Sequence, residues 1–157
     1  MKRLCTTLAF TTVVICGAAQ AQTAAEQSMD KPWDYIYDNP GKTPYDDDQS
    51  EHGERLQARW NSCSDMVLKT NMVANTIAGV KDNPDDYYVT AEQNRKQLDQ
   101  FFPTNTGTYQ DTINEKILAL GDEHWKMARG DADSSPELSQ MAWDWCTNQD
   151  AENFVDL

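Results

Sequence analysis

A long stripe of apolar residues at helical spacing is the feature that most restricts how this chain can fold. Between about residues 50 and 78, apolar side chains recur at steps of three, four or seven: Leu56, Trp60, Cys63, Val67, Ala74 and Ile77. This period predicts one amphipathic helix of about eight turns, which we expect Gly79 to end. Such a helix has to bury its stripe, so other elements must pack against it.

Two further stretches predict helices that could cover the stripe. The first begins at Thr90, because Thr90 and Gln93 have the form of a capping box, and Pro103 ends it. Its apolar positions are Ala91, Leu98, Phe101 and Phe102. The second is expected to close at Gly130, and its apolar positions at helical spacing are Tyr109, Ile113, Ile117, Leu120 and Met127.

A last helix is predicted from Ser134 or Ser135, with Pro136 in the first turn and Glu137 completing a cap. Its inner stripe consists of Leu138, Met141, Ala142, Trp145 and Cys146, whereas Trp143 is expected to point elsewhere. No segment has the alternating period of a strand. The sequence therefore predicts an all-α fold, a small four-helix bundle-like domain over residues 49–157.

The first 21 residues have the pattern of a secretory signal peptide. A positive start, Lys2 and Arg3, precedes an uncharged apolar run, and Ala19-Gln20-Ala21 offers the small side chains that signal peptidase requires. The run is too short for a membrane span, which needs roughly 20 apolar residues. We expect cleavage after Ala21 and a periplasmic or secreted protein without a membrane span.

Cleavage would leave two of the four cysteines, Cys63 and Cys146. An even pair in an oxidising compartment is typical of a disulfide, although two buried thiols are the alternative. The predicted bond would tie the first long helix to the last one.

Residues 22–48 are predicted to form a polar leader followed by an extended arm. Pro32, Pro40 and Pro44 exclude one continuous helix. An extended conformation would place Trp33, Tyr35 and Tyr37 on one side. The arm could dock on the helices of its own domain or bind a partner, and we expect the former because a small domain needs apolar cover.

The charge of the chain limits its partners. After removal of Lys2 and Arg3, 11 basic residues would face 26 acidic ones, a net charge of −15. Such a surface repels nucleic acid and anionic lipid, and it attracts a cationic protein or a metal ion. High solubility is the simpler interpretation of the same charge.

None of the familiar cofactor-binding or catalytic motifs occurs in the sequence. The chain lacks Cys-x-x-Cys-His, and neither His52 nor His124 follows a Glu at the spacing of a carboxylate-bridged metal site. Residues 131–142 have Pro136 where a calcium loop needs glycine and Ala142 where it needs glutamate. Haem held by His124 and Met66 or Met72 stays as an alternative, as does a paired-carboxylate hydrolase of envelope polymers. The sequence favours a protein without cofactor or enzymatic activity.

The leading hypothesis is an acidic, exported binding protein that neutralises a cationic protein, as an immunity or inhibitor protein does. A periplasmic chaperone and a helical bundle that binds a small molecule are alternatives. We expect the interface to combine aromatic anchors with surrounding carboxylates. The anchor candidates are Trp33, Tyr35, Tyr37 and Trp143, and the charged surroundings are Asp46, Asp47, Asp48, Asp85 and Asp86 with Tyr87.

Overall fold

The computed structural model describes residues 32–82, 90–128, 135–155 and 157. Its α-helices are α1 (Pro32–Asp38), α2 (Glu51–Asp82), α3 (Ala91–Phe101), α4 (Tyr109–His124) and α5 (Pro136–Thr147), and two 3₁₀ turns cover Trp125–Ala128 and Ala151–Phe154. These residues contain no strand, so the predicted all-α fold is confirmed. The predicted signal peptide and Gly130 lie outside the described residues.

Helix α2 is the central element of the bundle. It packs most extensively against α5 and α4, and it also contacts α3 and both 3₁₀ turns. The helix continues past Gly79 to Asp82, so the predicted end at Gly79 is wrong. The reason is that Val80 is only 6% exposed. Burying a valine side chain contributes about 1.5–3 kcal/mol, more than the roughly 1 kcal/mol that a glycine costs inside a helix.

A glycine sets the distance between α2 and α4. An added Cβ at Gly121 would lie 2.4 Å from Cγ1 of Val73 and 3.2 Å from the backbone nitrogen of Ala74. No side chain fits in that space. The backbones of α2 and α4 therefore approach each other more closely than two helices separated by side chains can.

The predicted disulfide is confirmed. Cys63 on α2 and Cys146 on α5 are bonded across 83 residues of sequence, and their Cα atoms lie 5.5 Å apart. Both cysteines have no exposed surface. The bond lies in the middle of the core and joins the first long helix to the last one, as the sequence predicted.

The cap of α3 follows the prediction, and the cap of α5 follows it in part. Thr90 accepts a hydrogen bond from the backbone N–H of Gln93, whose side chain accepts one from the backbone N–H of Thr90. Ser135 caps α5, with Pro136 in the first turn. Glu137 does not complete a capping box, because the backbone N–H of Ser135 donates to Asn71 instead. The apolar face of α3 is narrower than expected, because Leu98 and Phe102 are buried while Ala91 is exposed and Phe101 is 74% exposed.

The aromatic arm is folded differently from the extended arm that the sequence predicted. Its described part begins with the short helix α1, in which Pro32 occupies the first position, where its fixed φ angle and missing N–H are tolerated. The rings of Tyr35 and Trp60 lie 5.6 Å apart, and Tyr45, 8% exposed, packs edge-on against the same Trp60. The Tyr35 hydroxyl also donates to the carbonyl of Thr43 at 2.8 Å. This part of the arm therefore docks on its own domain.

Candidate functional site

Asp46 fixes the segment before α2 onto the helix. Its carboxylate accepts hydrogen bonds from the backbone N–H and hydroxyl of Thr43, and from Nε2 of Gln57 on α2 at 2.9 Å. The Thr43 hydroxyl is the main reason that the pKa of Asp46 lies below its usual value, with Gln57 and the nearby Lys42 acting in the same direction. The side chain is therefore ionised and held in place at neutral pH.

Asp48 is held just as closely at the start of α2. Its carboxylate accepts a hydrogen bond from the backbone N–H of Ser50, and the contact with Ser50 lowers the pKa of Asp48. An added Cβ at Gly53 would lie 2.2 Å from the carbonyl oxygen of Asp48. Only glycine lets the segment approach the first turn of the helix this closely.

The charge of Asp47 extends this surface toward the arm. Asp47 is exposed, and it lies near enough to Tyr35 to affect its ionisation. Burial is the main cause of the raised pKa of Tyr35, and the negative charges of Asp46 and Asp47 add to it. The three aspartates that the sequence selected therefore form one exposed strip in front of α2.

Further carboxylates continue the strip along α2. Gln57, which binds Asp46, is preceded at steps of three by Glu54 and Glu51, so the three side chains lie on one side of the helix. Arg55 pairs with both Glu51 and Glu152, which raises its pKa, and it also interacts with Asp150. We call this surface the acidic face; it comprises Asp46, Asp47, Asp48, Glu51, Glu54, Asp150 and Glu152.

The acidic face contains a shallow concavity of about 390 Å³. Its walls are Glu51, Glu54, Arg55 and Glu152, and its apolar part comes from Ala58 and Val155. Val155 is 53% exposed, so it offers apolar surface beside the carboxylates. Sequence reasoning missed Glu152 and Val155, because nothing in a sequence pattern shows that the last residues fold back beside the start of α2.

The C-terminal part of the face is held by contacts with the core. Nη1 of Arg59 donates to the carbonyl of Thr147, the last residue of α5, at 3.2 Å and to that of Gln149 at 3.1 Å. Asp150 caps the 3₁₀ turn through the backbone N–H of Glu152. Phe154 is 2% exposed and packs edge-on against Tyr109. Glu152 therefore stands on a fixed backbone.

The predicted aromatic anchors that the structure describes are buried or half-buried, whereas the predicted carboxylates Asp46 to Asp48 are exposed. Trp143 has no exposed surface and packs on Trp60, so its expected outward orientation is wrong and its ring is not available to a partner. Its position in α5 faces α2 because Cys146, three residues later, bonds to that helix. Tyr35 is half-buried. The side chains of Trp33 and Tyr37, and the whole of Asp85, Asp86 and Tyr87, lie outside the described part of the chain.

The residues considered for haem or metal binding are dispersed by the fold. Met66 is buried in the core, Met72 is 49% exposed on α2, and His124 lies at the end of α4, 3.7 Å from a carboxylate oxygen of Glu123. Among the described residues, no three His, Cys, Asp or Glu side chains are grouped so that they could hold a metal ion. Over the same ranges, no helix combines the length and apolar character needed to cross a membrane.

Comparisons with protein families, with characterised proteins and with solved structures gave no match. The acidic face and its concavity are therefore interpreted from their own chemistry.

Proposed function

We propose that this protein is exported and acts as an acidic binding protein that neutralises a cationic protein in the bacterial envelope, in the manner of an immunity or inhibitor protein. The observation that carries the proposal is the acidic face. Three of its seven carboxylates, Glu51, Glu54 and Glu152, line a concavity. The basic side chains described beside the face include Lys42, Arg55 and Arg59. The pattern of residues 1–21 and the buried disulfide support an oxidising compartment.

Most carboxylates of the face are not neutralised within the domain. Arg55 makes the ion pairs found on this face among the described residues, and they involve Glu51 and Glu152. Asp47 and Glu54 are exposed and form no ion pair in the same part of the chain. Their charge is available to a basic partner, and uncompensated negative charge steers cationic proteins toward a surface.

The concavity offers a place where a side chain of the partner can be buried, which surface charge alone does not provide. Charged groups at the rim of an interface mainly accelerate encounter, whereas side chains buried at its centre supply most of the affinity. A lysine or arginine of the partner could place its aliphatic stem on Ala58 and Val155 and its charged group beside Glu54. The backbone around the concavity is fixed by Arg59 and Phe154, so little ordering is needed on binding.

The test uses two triple variants with the same change of charge. The variant Asp47→Asn/Glu54→Gln/Glu152→Gln weakens the acidic face, and Glu115→Gln/Asp122→Asn/Glu123→Gln removes exposed carboxylates from α4 as a matched control. A basic partner would first be isolated from envelope extracts on the wild-type protein and identified by mass spectrometry. Association rates with the purified partner are then measured at low and moderate salt.

We expect association of the acidic-face variant to be about tenfold slower at low salt, with a weaker dependence on salt, because steering charge has been removed. The α4 variant should behave as the wild type does. The proposal fails if no basic protein is recovered at either salt concentration, or if both triple variants associate at the same reduced rate.

A further inference from the structure

A second cavity lies far from the acidic face, where the C-terminal end of α2 meets α3 and α4. It has a volume of about 130 Å³, and we call it the α3 cleft. Helix α3 contributes Ala91, Asn94, Arg95 and Leu98, which share one face of the helix because they are spaced three and four residues apart. About 30 residues of α2 separate it from Glu51, which corresponds to roughly 45 Å along a helix.

The inner wall of the α3 cleft is apolar. Ile77 and Val80 of α2 and Leu98 of α3 are 7%, 6% and 4% exposed, and all three line the cavity. An apolar cavity of about 150 Å³ accommodates a molecule of the size of benzene. The cleft therefore has room for an apolar group of about four to six carbon atoms.

Asn94 distinguishes this cavity from an ordinary packing gap. It is 5% exposed and lines the cleft. The other buried asparagines are well bonded: Asn71 binds Val67, Ser135 and Ser139, and Asn114 binds Gln110 and Pro103. The side-chain amide of Asn94 makes no hydrogen bond within the described residues. Its amide atoms are not fully enclosed, so they face the space of the cleft and a group that enters can bond to them.

The rim of the α3 cleft carries charges of both signs. Arg95 donates to Asp99 at 3.0 Å, so its charge is already paired. Lys81 contacts the ring face of Trp125, with Nζ 4.9 Å from the centroid, and has no ion pair in the described part of the chain. Asp122 is exposed and likewise has no ion pair there. One cation and one anion are therefore left at the mouth of an apolar cleft.

We propose that the α3 cleft binds a free α-amino acid with an apolar side chain of about the size of leucine. The carboxylate of the ligand would pair with Lys81, its ammonium group with Asp122, and its side chain would lie on Ile77, Val80 and Leu98. The Asn94 amide supplies a hydrogen bond to either charged group. A ligand with only one of the two charges would leave one rim charge without a partner.

The experiment compares three probes on the full mature chain. L-leucine carries both charges, 4-methylpentanoate lacks the ammonium group, and 3-methylbutylamine lacks the carboxylate. Binding is followed by amide chemical shifts in two-dimensional NMR spectra, which also show where each probe binds. We expect leucine to shift the signals of Asn94 and Asp122 and to bind about tenfold more tightly than either analogue, the loss expected for one charge-assisted hydrogen bond.

Variants at the rim provide the controls. Asp122→Asn should weaken leucine binding about tenfold and leave 4-methylpentanoate binding unchanged or stronger, because only the ammonium group needs that charge. Glu123→Gln removes the neighbouring carboxylate of α4, which does not line the cleft, and should change neither. The proposal is overturned if leucine causes no shift at millimolar concentration, if all three probes bind equally, or if both variants have the same effect. None of these outcomes depends on binding at the acidic face.

Discussion

Trp60 and Trp143 pack edge to face, with ring centroids 4.8 Å apart and ring planes at 82°. Each tryptophan lies three residues before a cysteine of the disulfide, so the ring pair and the Cys63–Cys146 bond form neighbouring layers between α2 and α5. Tyr35 and Tyr45 pack on the other sides of Trp60. The arm and α5 therefore both pack against one ring of α2, that of Trp60.

Trp143→Ala should lower the free energy of unfolding by about 3–5 kcal/mol, because it leaves a large cavity beside Trp60. Trp143→Phe keeps an aromatic ring and should cost less. Trp145→Ala is the control. Because Trp145 is only partly buried, this substitution should lower the free energy of unfolding by much less than Trp143→Ala does. Urea unfolding followed by far-UV circular dichroism measures all three. Equal losses at positions 143 and 145 would contradict the packing.

Removal of the disulfide should destabilise the domain without changing its fold. For the double variant Cys63→Ala/Cys146→Ala we expect a loss of about 4 kcal/mol, because the bond closes a loop of 83 residues in the unfolded chain. The wild type in reductant should show a similar loss. Guanidinium unfolding with and without reductant checks this, and a variant as stable as the oxidised wild type would count against the predicted contribution.

Gly121→Ala should push α2 and α4 apart and cost about 1–3 kcal/mol, because the new methyl group meets Val73. A double-mutant cycle supplies the control. Val73→Ala removes the methyl group that the new alanine side chain would meet. Gly121→Ala should therefore lower the free energy of unfolding less in the Val73→Ala background than in the wild type. Thermal unfolding of the wild type and the three variants measures the coupling; strictly additive effects would show that the two residues do not touch.

Asp111 should make stability depend on acid pH. The hydroxyl of Thr106 is the main cause that holds the pKa of Asp111 below 3.8, and backbone N–H groups of Thr106 and Gly107 assist. Because the pKa is lower in the folded state, the folded protein binds fewer protons, and the stabilisation is present above about pH 4 and lost as the pH falls through the folded pKa.

We therefore expect Asp111→Asn to be less stable than the wild type at pH 7, with the difference shrinking below pH 4. Urea unfolding at pH 7 and pH 3 measures this difference. Glu115→Gln, one turn further along α4 and exposed, is the control and should show no comparable loss at pH 7. An Asp111→Asn deficit that persisted unchanged at pH 3 would show that the charge is not its cause.

The sequence predicted those parts of the fold that depend on local chemistry. The capping box at Thr90, the Ser135-Pro136 start of α5 and the stripe through Trp60 and Cys63 are short-range patterns, and the structure contains all of them. The prediction of the disulfide rests on the oxidising compartment and on the two cysteines that remain after cleavage, not on geometry. These features need no knowledge of what packs against what.

The errors concern positions where tertiary packing decides. The period of α5 was compatible with an outward Trp143, but the rotation of the helix is fixed by its contacts with α2. Gly79 was expected to end α2, but burial of Val80 carries the helix further. On the acidic face, Asp46 to Asp48 were found because they are adjacent in sequence, whereas Glu152 joins them only through the fold.

Because α2 is one uninterrupted helix, the domain is sensitive to any insertion that changes the side of the helix on which later residues lie. Inserting one residue into an α-helix turns everything beyond it by about 100°. Such an insertion between Cys63 and Val73 would leave the cysteine facing α5 while Val73 rotated away from the glycine of α4 that it contacts. Changes of chain length are thus better tolerated in the connections, such as the exposed turn around Gly107, than within the helix that all the others share.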